Sequence, residues 1–143
     1  MATTSINLAD LDGSNGFRMD VEAGSSLRSI SNAGDVNGDG FDDVMVSLDR
    51  ASVYVVLGES TGFDATMNLT DLDGSDGSRL WGGGRFAEIS DAGDVNGDGF
   101  DDVIVSSSSK GTNVVFGKAA GFGAEMNVST LDGGNGFQLD GVI

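Results

Sequence analysis

The chain has 143 residues, 38% of them hydrophobic, and its 23 acidic against 7 basic side chains give a formal net charge of −16. Nucleic acid and anionic membrane would repel such a surface, so neither is expected as a partner, and cations are favoured instead. With no cysteine and no histidine, disulfides, thiolate metal sites, zinc, haem and serine–histidine chemistry lose their usual groups, which leaves the oxygens of Asp, Asn and backbone carbonyls, the donors of hard cations. No apolar run approaches the about 20 residues of a membrane span, so no membrane insertion is expected. The opening MATTSINLADL has neither the basic nor the apolar region of a secretory signal.

Read in chain order, the elements are short strands separated by Gly, Asn and Asp. The segment NLADLDGSNGFRMD, from Asn7, ends in a strand GFRMD. A second strand is expected over Leu27–Ala33, a third from Asp43 to Ser47 and a fourth from Ser52 to Gly58. The last two are near-continuous apolar runs of the kind buried on both faces. NLTDLDGSDGSRLW, from Asn68, then restates the opening segment. Strands follow over Phe86–Ala92, Asp102–Ser106 and Asn113–Gly117, and NVSTLDGGNGFQLD, from Asn127, closes the chain. Twenty-four glycines and no proline place the turns on residues that tolerate positive φ.

The dominant signal is this repetition, with Asp35 and Asp94 standing 59 residues apart. Such a period is too long for helical solenoids and suits a propeller blade of four antiparallel strands. The expected fold is all-β: a segment 1–26 carrying a surplus outer strand, a blade over 27–82 and a second blade over 83–143. Two blades leave two apolar faces without partners, and about three repeats are usually needed for stability. A homo-oligomeric ring is therefore expected, a trimer of six blades or a tetramer of eight; the alternative is that the chain is part of a longer propeller. The surplus strand is a candidate for exchange onto a neighbour's blade.

One stretch carries chemistry. GDVNGDGFDDV occupies Gly34–Val44 and returns unchanged at Gly93–Val103. Counted from Asp35, positions one, three, five, seven and nine are Asp35, Asn37, Asp39, the carbonyl of Phe41, and Asp43. In the second copy they are Asp94, Asn96, Asp98, the carbonyl of Phe100, and Asp102. Alternate residues on a tight loop can converge on one point, and calcium takes six to eight such oxygens at about 2.3–2.6 Å. Acidic neighbours in an empty loop repel, so two calcium ions are expected, one per copy. They would lower the formal charge from −16 to −12. An EF-hand would put Glu at position twelve between helices, and a dockerin-type loop an acidic residue there before a helix. Position twelve here is Val46 or Val105, inside a strand.

AGDVNGDGFDDVIV, with the LDG turns and the GFRMD and GFQLD strands, resembles the FG-GAP repeat, the blade of integrin-α-type propellers and their bacterial relatives. The resemblance implies one calcium on Asp35, Asn37, Asp39 and Asp43 and another on Asp94, Asn96, Asp98 and Asp102. It further implies a non-enzymatic module for structure, adhesion or protein interaction, located outside the cell or on its surface. The family's Phe-Gly is Leu27-Arg28 in one copy and Phe86-Ala87 in the other, and its Gly-Ala-Pro element is absent. Two further functions are distinguishable. A glycan-binding propeller would use Trp81, Tyr54 and exposed Asp or Asn, whereas a carboxylate-based glycosidase would need a unique acid that the repeat does not supply. Asp12, Asp73 and Asp132, in the LDG turns, are expected to serve turn geometry. Trp81 is expected to pack on a neighbouring blade.

Overall fold

A computed structural model describes residues 5–141, and the extreme ends of the first and last segments, 1–4 and 142–143, lie outside the described residues. Eleven strands form among the described residues: β1 (Arg18–Asp20), β2 (Leu27–Gly34), β3 (Asp43–Leu48), β4 (Ser52–Val56), β5 (Thr66–Asn68), β6 (Gly77–Trp81), β7 (Phe86–Gly93), β8 (Asp102–Ser107), β9 (Gly111–Val115), β10 (Glu125–Asn127) and β11 (Gly136–Leu139). The helical content described is three single 3-10 turns, each capped by the side chain of Asn7, Asn68 or Asn127. These are the Asn residues that open the three related segments, so the same cap sets the same turn each time.

The strands make two blades. In the first, β2, β3, β4 and β6 pair antiparallel in that order, and in the second β7, β8, β9 and β11 do so. The registers are superimposable: Val46 stands opposite Tyr54 as Val105 stands opposite Asn113. The first strand of each blade carries irregularities at both ends of its pairing, the second ending opposite Asp43 or Asp102. Bulges of this kind re-aim a strand end, and here they precede the repeated acidic loop.

Two short strands were not legible. β5 and β10 are three residues each and pair in parallel, β5 with β1 and β10 with β6. The surplus strand β1 thus pairs along one edge with β5 of its own chain. Its hold is apolar: Met19 and Val21 pack against Val46, Tyr54 and Leu69 on one face of the first blade, and Phe17 stacks on Phe63 at 4.2 Å.

Alternation along each strand puts successive side chains on opposite faces, and the main core lies between the blades. Met45, Val53, Val55 and Leu80 of the first blade meet Phe86, Ile89, Val103 and Val105 of the second in one buried cluster. Across it β2 and β3 of the first blade face β7 of the second. No helix among the described residues is long and apolar enough to cross a membrane.

Candidate metal centre

The two acidic loops fold alike, atom for atom in their hydrogen bonds. The Asp35 carboxylate accepts from the N–H groups of Asp39 (3.0 Å) and Gly40 (2.9 Å). Asp94 accepts from Asp98 (3.0 Å) and Gly99 (2.8 Å). Asp39 accepts from the Phe41 N–H at 2.9 Å, and Asp98 from that of Phe100 at 3.0 Å. The Asn37 and Asn96 amides donate to Asp39 and Asp98 at 3.0 and 2.9 Å. Positive φ at Gly38 and Gly40, and again at Gly97 and Gly99, lets the backbone turn tightly enough for this. Positions one, three and five are thereby brought together in both copies.

Position nine behaves differently. Asp43 is fully buried and accepts from the N–H groups of Val36 and Gly58, each at 2.8 Å. Asp102 does the same with Val95 (2.8 Å) and Gly117 (2.9 Å). Each therefore fastens its loop to the end of the third strand of its blade. Burial pushes the Asp43 carboxyl up to about 6; the Gly58 and Val36 N–H groups pull it down, while the charges of Asp39 and Asp35 add to the rise. The Asp102 carboxyl is raised by the same causes. Among the described residues, no three Asp, Glu, His or Cys side chains stand as a metal-holding group. Repulsion in these loops is offset by backbone N–H groups, a compensation that residue counting did not reveal. The donors are still oxygen throughout, and the two buried carboxylates feel the acids at positions one and five. That chemistry fits a hard cation and suits no softer one.

Asp101 was not singled out from the sequence and is a principal contact. Its carboxylate accepts from the Asp35 N–H at 2.8 Å while its own N–H donates to the Asp35 carbonyl at 3.0 Å, tying the loops of the two blades together. The signal for it is the doubled acid, Asp42-Asp43 and Asp101-Asp102, whose first member lies outside the alternate ligand positions.

The remaining candidates resolve simply. Asp12, Asp73 and Asp132 each accept N–H groups two residues on, at 2.9 Å, as turn residues do. Hydrogen bonds from Ser14 and Ser75 hold the Asp12 and Asp73 carboxyls below their usual range. Tyr54 is buried in the core, which removes it as an exposed contact. Trp81 is exposed at the end of β6, in register with Asn127 of β10.

Residues 86–123 match the model of the FG-GAP repeat. The match covers the first three strands of the second blade and points to a propeller-type protein-interaction module. No curated protein matches the chain.

Proposed function

We propose that the chain is a non-enzymatic, calcium-binding interaction module of extracellular or cell-surface proteins, with one ion in the loop between the first and second strands of each blade. Asp35, Asn37, Asp39, the Phe41 carbonyl and Asp43 would hold one ion, and Asp94, Asn96, Asp98, the Phe100 carbonyl and Asp102 the other. Bound calcium supplies positive charge that offsets the clustered acids. Asp43 and Asp102 anchor the loops to the blades, and Asp101 joins one loop to the next. The observation that carries the reading is the identical loop network in both copies, with a fully buried carboxyl group at its base.

Calorimetric titration with calcium tests it. Two ions per chain are expected, and Asp39→Ala and Asp98→Ala should each leave one. Absence of binding at millimolar calcium, the weak end for extracellular modules, would overturn the reading.

A second reading, glycan binding, is favoured by an open polar groove of about 450 Å³ lined by Glu22, Arg50, Thr70, Arg79 and Glu125. Arg79 there pairs with Glu125 at 3.3 Å. A glycan array probed with wild type and Arg79→Ala separates the two readings.

A further inference from the structure

The seam between the blades shows what each blade demands of a neighbour. Val36 is 0% exposed, and its carbonyl accepts from the Lys118 N–H at 2.9 Å. The Phe100 ring lies over Gly38, where an added Cβ would stand 2.5 Å from Cε1. Asp101 clasps the Asp35 backbone, and Phe86 and Ile89 are 3% and 8% exposed.

One repeat along, the same positions stand open. On the outer side of the second blade, Val95, the counterpart of Val36, is 52% exposed, and Gly97, the counterpart of Gly38, has nothing within 4 Å among the described residues. On the outer side of the first blade, Leu27 and Ile30, the counterparts of Phe86 and Ile89, are 54% and 55% exposed. Phe41 and Asp42, counterparts of Phe100 and Asp101, are exposed as well. Leu27 and Ile30 line an apolar groove of about 470 Å³ with Phe17 and Val21.

We infer that these two faces are the halves of one seam and dock a second copy of this chain head to tail. The occupant follows from continuity with the seam already present: whatever covers Ile30 must offer what the first blade offers Ile89, and the second blade presents Ile104, Thr112 and Val114 where the first presents Met45, Val53 and Val55. Phe41 of the next copy covers Gly97, its Asp42 accepts from the Asp94 N–H, and its Leu27 and Ile30 bury Val95, as Phe86 and Ile89 share one cluster with Val36. The seam has room for one outer strand, since β1 stands to β5 as β6 stands to β10. β1 is anchored through Met19, whereas β11 buries Gly136 alone. In the assembly β11 therefore yields, and β1 of the next copy pairs with β9. The inference does not rest on the cation reading. Chains of charge −16 repel at low salt, so association needs physiological ionic strength, where screening sets in within about 8 Å.

Sedimentation velocity on wild type, Ile30→Asp and Val95→Asp tests it. Both residues are exposed, so the blades survive; should an Asp variant lose its far-ultraviolet signal, Ile30→Ser or Val95→Ser takes its place. Wild type should sediment above the chain mass of 14.5 kDa in a concentration-dependent way, and each variant alone at the chain mass. An equimolar mixture of the two variants, which retains one intact half-seam from each, should give a species of twice the chain mass and nothing larger. A wild type that stays at the chain mass, variants that still assemble, or a mixture that stays monomeric would each overturn the inference.

Discussion

Replacing the same leucine by alanine in the two blades should have unequal consequences. Leu80 and Leu139 occupy one position of the repeat, in GSRLW and GFQLD. Leu80 is 0% exposed in the cluster between the blades, whereas Leu139 is 53% exposed. Deleting a fully buried leucine side chain loses its transfer free energy and leaves a cavity, which together cost about 3–4 kcal/mol. Leu139→Ala opens no cavity and belongs with surface substitutions, within about 0.5–1 kcal/mol. With a urea slope of about 1–3 kcal/mol per molar, Leu80→Ala should lower the unfolding midpoint by about 1–3 M. Leu139→Ala should scarcely move it. The comparison is made by urea unfolding on dilute, monomeric protein. Equal losses there would refute the idea that the core lies between the blades and that the far side of the second blade is open.

Two other substitutions probe the loops. Asp43→Ala orphans the buried Val36 N–H and the half-buried Gly58 N–H, so melting in chelator should show a loss of about 2–4 kcal/mol. Gly38→Ala should be costlier than Gly97→Ala: both have positive φ, a strain of about 1–2 kcal/mol, but only Gly38 also faces a neighbouring ring. Paired thermal melts would read the difference, and equal costs would remove Phe100 from the interface.

Much of this was legible because the information is local and stated twice. Val-rich runs bounded by Gly and Asp marked β3, β4, β8 and β9, and the repeat period fixed two blades. The acidic loops were found by their spacing, and the structure brings Asp35, Asn37 and Asp39 together in the first and Asp94, Asn96 and Asp98 in the second. What stayed hidden depends on neighbours that are distant in sequence. β5 and β10 are too short to show a period and exist because β1 and β6 offer them an edge. Asp43 and Asp102 read as ligands, yet their oxygens accept N–H groups from strand ends fifteen residues on as well as from the loop. Asp101 pairs with a backbone sixty-six residues away, and the doubled acid marks the residue without showing which loop it meets. Tyr54, which looked available for contacts, is buried because the segment carrying β1 folds back over that face.

The most direct measurement is a crystal structure of the chain grown in calcium, with anomalous data collected to identify the ions. An anomalous peak should lie in each loop, one among Asp35, Asn37 and Asp39 and one among Asp94, Asn96 and Asp98, with Asp43 and Asp102 at their bases. Loops that keep their N–H contacts to Asp35 and Asp94 at millimolar calcium, with no peak in either, would contradict it.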